Sequence, residues 1–545
     1  MTTMPPSLLD RLPNEVLIKV STLTSLADMI TCKRVCRRLH GLIQDSLLLQ
    51  CKAELEVEGF QDAAENISID DKLARLDAYM QFWEAGRSKF TMRFTNSVAQ
   101  SCRLIALSSS LLAYVSNDTQ VNFLQIPSEV FDIPARQWKL PPFPDNIVAL
   151  AIDQTQELLV ILTLSVAPRQ HFKVYFLHTE TGGPHPKAAI SPISCQLSTQ
   201  DPIEGEPSVQ ISSHMVAISS RNVTSQHLWV IGWEPGTFLV DVRNISGDGI
   251  AIVDERYLVC PTTHGHNDAC TLLVLDMLHP PPLGFDFSDA SARLSHPVIA
   301  LGLPEPPANH IFILRCVWIT NSHSHVRTPS APFIQRPDED ILAAHFWFRC
   351  SDDSEMCGWE CKYHKDDLSP PQAWLVVPKP VLLRDIDRAE ASPASAEWGH
   401  NARHLPWTSW GPEAGVLESH ICLTSTPIHG PRLITHYLDA GADSDSLVNI
   451  IRDFRRLPPQ RRNKAQACET YQATAYRDLS HDLPHQRAPP PLPTKPDATN
   501  ETSPKSWRWM KLLATGDYFV VAENFPTGGI DDTDEHRREF YVVSV

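Results

Sequence analysis

Between residues 104 and 276 one pattern returns four times, and it restricts the fold more than any other feature of the chain. Each copy is three short apolar runs with alternation at a period of two. The first reads Leu104-Ile105-Ala106-Leu107, Leu111-Leu112-Ala113-Tyr114-Val115 and Val121-Asn122-Phe123-Leu124-Gln125-Ile126, with Ser or Asn-Asp-Thr between runs. Runs of this length and period are strands, and the turn residues between them make antiparallel meanders. The last strands of the four copies begin near residues 121, 174, 228 and 272.

The recurrence, roughly 40 to 55 residues, is that of β-propeller blades with variable loops. Further runs at Ile311-Phe312-Ile313-Leu314, Leu342 to Phe348, Trp374 to Val377, Ile421-Cys422-Leu423 and Arg432-Leu433-Ile434 continue the strand pattern. The chain ends on Leu512 to Val521 and Phe540 to Val545, and a terminal strand suits a ring closed by pairing its ends. The β region from about 94 to 545 would then hold roughly six to eight blades. The competing reading is a stacked pair of irregular antiparallel sheets, because the runs carry no His and Trp-Asp signature. Two polar, Pro-spotted stretches, Pro184 to Glu206 and Arg461 to Ser506, are expected as surface loops, the second a Pro-rich insertion at about 461–506.

The first sixty residues follow a different period. Apolar residues at Leu12, Val16, Leu17, Val20 and Leu23 have helical spacing, and Pro13 stands where a first turn tolerates a missing N–H. Ser25 followed by Asp28 has the form of an N-terminal cap for a second helix carrying Leu26, Met29 and Ile30. Val35, Leu39, Leu42 and Ile43 mark a third. A unit of about 40 residues has too little interior for so many large apolar side chains, and the surplus implies a docking surface. The alternative is a helical cap folded against the rest of the chain. Ser46 to Val57 and Asp70 to Ala85 continue as helices, expected to form a connecting stalk.

This stretch resembles the F-box, the adaptor-binding segment of substrate receptors in SCF-type ubiquitin ligases. The residues that carry the resemblance are Leu12-Pro13 with Glu15, the Leu26/Asp28/Met29 stretch, and Val35-Cys36-Arg37. Leu39 departs from it, standing where family members often have Trp. The resemblance implies that Leu12, Pro13, Val16, Leu17, Val20, Leu26, Met29, Val35, Leu39 and Ile43 face a Skp-type adaptor, which links the receptor to a cullin scaffold and RING subunit. The whole layout is similar to that of fungal F-box proteins with a β-propeller-like C-terminal region, where Trp407-Thr408-Ser409-Trp410-Gly411-Pro412 resembles a recurring late motif. The expectation is therefore an α+β multidomain chain: a three-helix F-box at 1–50, a helical linker at 51–93, and a propeller-like substrate-binding domain at 94–545.

Composition narrows the classes of function. A net charge of -17 opposes general affinity for phosphate backbones, so no nucleic-acid partner is expected. No window approaches eighteen uninterrupted apolar residues and Met1 to Pro6 has no basic region, so neither membrane nor secretion is expected, and the chain reads as cytoplasmic or nuclear. The 13 cysteines are scattered and read as reduced. Cys350, Cys357, Cys361 and His364 are thiolate and imidazole donors, but their spacing lacks a Cys-x-x-Cys knuckle, so no metal is expected. His264-Gly265-His266 and His323-Ser324-His325 read as solvated loops, the basic cluster from Arg452 to Lys464 as a solvated face. Phosphate-loop, dinucleotide-loop, Gly-x-Ser-x-Gly and His-Glu-x-x-His signatures are absent, and no cofactor is expected. The expected function is a non-catalytic receptor that holds an unknown protein substrate for ubiquitination. A non-degradative scaffold and a propeller enzyme remain as alternatives.

Overall fold

The structure is a computed structural model. It describes residues 11–63, 66–85, 90–95, 105–128, 130–165, 171–196, 207–221, 226–245, 249–264, 269–287, 298–303, 310–313, 319–321, 331–336, 340–350, 372–392, 402–414, 416–419, 428–429, 432–439, 446–453, 477–478, 510–514, 518–526 and 536–544. Five helices come first: α1 (Asn14–Thr22), α2 (Leu26–Val35), α3 (Arg37–Asp45), α4 (Leu47–Val57) and α5 (Ile69–Ala85). Val35 ends α2 instead of opening a third helix, because Cys36 is extended at φ -155 and ψ 160 and breaks the run there.

Seven sheets of four or five strands follow among the described residues, with a two-stranded ribbon beside them. Sheet 1 is Ile105–Ser108, Leu111–Ser116, Gln120–Gln125 and Arg136–Lys139; sheet 2 is Ile147–Asp153, Leu158–Ser165, His171–His178 and Ile193–Gln196. Sheet 3 is Ser208–Ser212, Met215–Arg221, Gln226–Gly232 and Thr237–Ile245, with Phe285–Asp286 added in parallel at its edge. Sheet 4 is Ala251–Ile252, Tyr257–His264, Ala269–Asp276 and Val298–Gly302, edged in parallel by Ala402–Leu405. Sheet 5 is built on Ile341–Cys350 and Gln372–Pro378, and sheet 6 on Arg432–Asp439 and Ser446–Asp453. Sheet 7 joins Met510–Ala514, Tyr518–Pro526 and His536–Ser544 to Phe90–Thr95, so the last strand pairs with the first strand after the helices.

Burial explains both the repeat and its imperfect alternation. In Leu158–Ser165, Leu158, Val160 and Leu162 join Trp229 and Ile231 of sheet 3, whereas Leu159 and Ile161 join Phe123 and Val115 of sheet 1. Sheet 3 in turn sends Leu228 and Val230 against Leu258 and Leu273 of sheet 4, whose Val259 and Val274 meet Leu342 and Leu375 of sheet 5. Consecutive sheets 1 to 5 therefore stack face to face, and strands buried on both faces read as continuous apolar runs. The sequence pattern showed three strands per copy. The fourth is an outer strand such as Arg136-Gln137-Trp138-Lys139, which is largely exposed and has no apolar period.

One expectation needs correction. The stretch from Pro184 is not a free loop: Ile193–Gln196 pairs with His171–His178, Cys195 is fully buried, and Pro184 bridges to Leu177. The β region also contains helices, α6 (Lys379–Ala391) and α7 (Trp407–Ala414). Val381, Leu382, Ile386 and Ala389 of α6 sit in the core between sheets 4 and 5. Cys357, Cys361, His364, His266, His323, His325, Ile421 and the Arg461 to Lys464 stretch lie outside the described residues.

Candidate functional site

Helices α1 to α4 fold around a small interior. Met29, Ile43 and Leu49 are its buried centre, with Ile18, Cys32, Leu42 and Ala53 against them. Capping fixes the ends: Ser25 Oγ accepts from the Asp28 N–H at 3.1 Å and donates to the Asp28 carboxylate at 2.8 Å, a reciprocal cap. Pro13 is the residue before α1, and Arg38 on α3 donates to the Leu12 carbonyl at 2.6 Å and to Asn14 Oδ1 at 2.8 Å. Glu56 on α4 accepts from the Leu26 N–H at 2.9 Å and from Lys52 Nζ at 3.2 Å, and pairs with Arg336 at 3.5 Å.

The ten residues singled out by resemblance divide into three groups. Leu17, Met29, Leu39 and Ile43 are buried inside the helical unit; Leu12 and Leu26 are half-buried; Pro13, Val16, Val20 and Val35 are exposed. Val16, Val20 and Leu23 form a stripe at helical spacing along α1, with Val20 52% and Leu23 84% exposed. Ile30 and Val35 of α2 and Leu47 and Leu48 of α4 are exposed as well. Seven of the ten exposed large apolar side chains among the described residues thus lie between 16 and 48, in a segment that is a small part of the chain. Leu23, Ile30, Leu47 and Leu48 are not among the ten, although helical spacing marks Leu23 and Ile30 as apolar-face residues.

The helical unit is fastened to the sheets. After α4, Gly59 turns at φ +78, a backbone conformation that suits glycine, and Phe60–Asp62 pairs antiparallel with Phe333–Gln335. Phe60, Tyr79, Phe131 and Phe333 pack edge-on or tilted, with ring centroids 4.9 to 5.9 Å apart. Arg75 donates to the Val130 carbonyl at 2.7 Å, the Arg336 N–H to the Gly59 carbonyl at 2.9 Å, and Lys72 pairs with Asp62 at 2.5 Å.

Polar clusters in the sheets are mostly self-satisfied. Arg256 pairs with Asp276 and Glu390 at 2.9 and 2.8 Å, tying sheet 4 to α6. His227 is buried, stacks on Trp229 at 3.8 Å and reaches Asp241 at 2.6 Å. Burial pushes the thiols of Cys195 and Cys260 up to about 12, which leaves neither a nucleophile near neutral pH. Trp407 and Trp410 are structural: the Trp410 indole donates to the Gly302 carbonyl at 2.8 Å, and Gly411 leaves room for the Trp407 ring where a Cβ would collide with it. Among the described residues, no group of three or more His, Cys, Asp or Glu is placed to hold a metal, and no helix is long and apolar enough to cross a membrane.

Residues 9–51 match the F-box-like family, a non-catalytic protein–protein interaction domain. No curated protein matches the chain. Among solved structures, the WD40 domain of SCAP from fission yeast is 9% identical, covering 81% of this chain and 94% of that one, with a TM-score of 0.36. Kluyveromyces lactis Hsv2 is 8% identical, covering 79% and 94%, with a TM-score of 0.34. The computationally designed Ika4 protein is 10% identical, covering 33% and 94%, with a TM-score of 0.22. All three similarities are weak.

Proposed function

We propose that this chain is the substrate-recognition subunit of an SCF-type cullin–RING ubiquitin ligase, working in the cytoplasm or nucleus. Its F-box docks on a Skp-type adaptor and its seven sheets form one closed propeller that holds a protein substrate. The observation that carries this reading is the set of exposed apolar side chains on α1, α2 and α4, a band if they face one partner, in a unit that already has a buried centre of its own. Each Val or Leu covered by a partner would contribute about 1.5 to 3 kcal/mol, so the band is adequate for tight binding after ordering costs. Pro13, Val16, Val20, Leu23 and Val35 make the contacts, with Leu12 and Leu26 at the margin. Leu17, Met29, Leu39 and Ile43 support them from inside the unit. The pairing of Phe90–Thr95 with His536–Ser544 supports the closed ring.

The mechanism is proximity. A substrate held near a charged conjugating enzyme reacts at raised effective concentration, and the chemistry resides in other subunits. The test is reconstitution: the chain is co-expressed with a Skp-type adaptor, and the complex is offered to a cullin–RING scaffold. Capture of the scaffold and transfer of ubiquitin to a bound protein is the expected result. An adaptor complex that excludes the scaffold would favour the non-degradative scaffold instead.

A further inference from the structure

Among the described residues outside the helical unit, the loop leaving sheet 4, Leu278-His279-Pro280-Pro281-Pro282-Leu283, carries the two most exposed large apolar side chains. Leu278 is 67% and Leu283 61% exposed; Pro280 and Pro282 are exposed as well, while Pro281 is buried and anchors the run. Both ends are fastened. The Leu278 N–H donates to the Asp276 carboxylate at 2.9 Å and the His279 N–H to the Asp276 carbonyl at 3.1 Å. At the far end the Gly284 N–H donates to the Asp241 carbonyl at 2.9 Å, and buried Phe285 inserts between sheets 3 and 4.

The backbone of the run is set by its prolines. Each ring fixes φ near -65°, and His279, Pro280 and Pro281 each precede a proline, which disfavours the α region and favours the extended one. The Phe285 N–H donates to the Pro282 carbonyl at 3.1 Å with Gly284 at φ +79, a type II turn whose second residue, Leu283, continues the extended conformation. Pro280, Pro282 and Leu283 form the exposed side of this extended run and Pro281 its buried side.

We propose that this loop is a ligand for an aromatic-groove, proline-reading domain of the WW type. Such grooves recognise a pre-extended proline run because little ordering entropy is lost on binding. The SH3 class is disfavoured by charge: it pairs a Lys or Arg beside the run with an acidic pocket, and between 277 and 287 the ionisable side chains are His279 and Asp286 alone. The other exposed run, Pro141-Pro142-Phe143-Pro144, engages its aromatic residue internally, Phe143 against Tyr175 at 5.9 Å. The same Pro-Pro-Pro-Leu tetrapeptide recurs in the sequence at 489–492, which provides a control.

The experiment titrates the full chain against a set of purified WW domains that read Pro-Pro-Leu ligands, followed by fluorescence anisotropy. Native protein should bind at least one of them. Leu278→Ser/Leu283→Ser and Pro280→Ala/Pro282→Ala should each weaken binding at least tenfold without moving the thermal midpoint, and Pro489→Ala/Pro491→Ala should leave it unchanged. The proposal is overturned if the native chain binds none, or if binding survives the loop variants and is lost in the 489/491 variant. It is equally overturned if sedimentation finds a dimer abolished by Leu278→Ser/Leu283→Ser, which would assign the patch to a second copy. The adaptor-facing band is untouched by these substitutions, so this result is independent of the proposed function.

Discussion

His227 sits between two influences of opposite sign. Burial drives its proton affinity below the usual 6.5, against the upward pull of Asp241, and its Nδ1 has no hydrogen-bond partner. Protonation would bury an N–H with nothing to accept it, which supports the neutral ring. Asp241 is raised by burial but held below the usual 3.8 overall by the His227 hydrogen bond and Arg243. For both groups the unfolded chain binds more protons, so stability rises with pH across each window. The account predicts that the thermal midpoint falls as pH drops below about 6.5, and that His227→Gln flattens this part of the profile. A native midpoint constant from pH 7.5 to 5.5 would contradict it. None of this was legible in sequence, where His227 is one of 23 histidines and its partner is on the neighbouring strand. The Ser25 cap was legible because donor and acceptor are three residues apart. The division of the ten residues marked by resemblance into Leu17, Met29, Leu39 and Ile43 inside and Pro13, Val16, Val20 and Val35 outside was not, because it depends on how four helices pack.

At the scale of elements, three strands of each copy were readable and the fourth was not. Buried strands such as Leu158–Ser165 carry their signal in their own side chains, whereas Arg136–Lys139 is a strand because sheet 1 offers it an edge. Helix α6 has Pro380 at its start and Val381, Leu382, Asp385, Ile386 and Ala389 along one face, but it follows the strand Gln372–Pro378 without a break, so the strand period hides where the helical one begins. The ribbon between Phe60–Asp62 and Phe333–Gln335 joins segments far apart in sequence and has no local signature. Its role is to fix the helical unit on the sheets. Phe333→Ala removes a fully buried ring from an aromatic cluster and should cost about 3 to 5 kcal/mol locally. Hydrogen exchange in α4 and α5 should accelerate while sheets 2 and 3 keep their protection. Unchanged exchange in both helices would mean that the ribbon does not couple the two regions.

For the whole molecule, an F-box-like helical unit with an exposed apolar band stands on stacked antiparallel sheets through one short aromatic junction. That arrangement suits a receptor in which one end engages an adaptor and the other a substrate. The claim at its centre is that the band on α1, α2 and α4 is a binding surface and not part of the fold's interior. Its most direct test is adaptor affinity for the native chain and for Val16→Glu/Val20→Glu, with thermal midpoints measured alongside. The account predicts at least a hundredfold loss of affinity with an unchanged midpoint. Adaptor binding that survives both charges, or a native chain that binds no Skp-type adaptor, would contradict it.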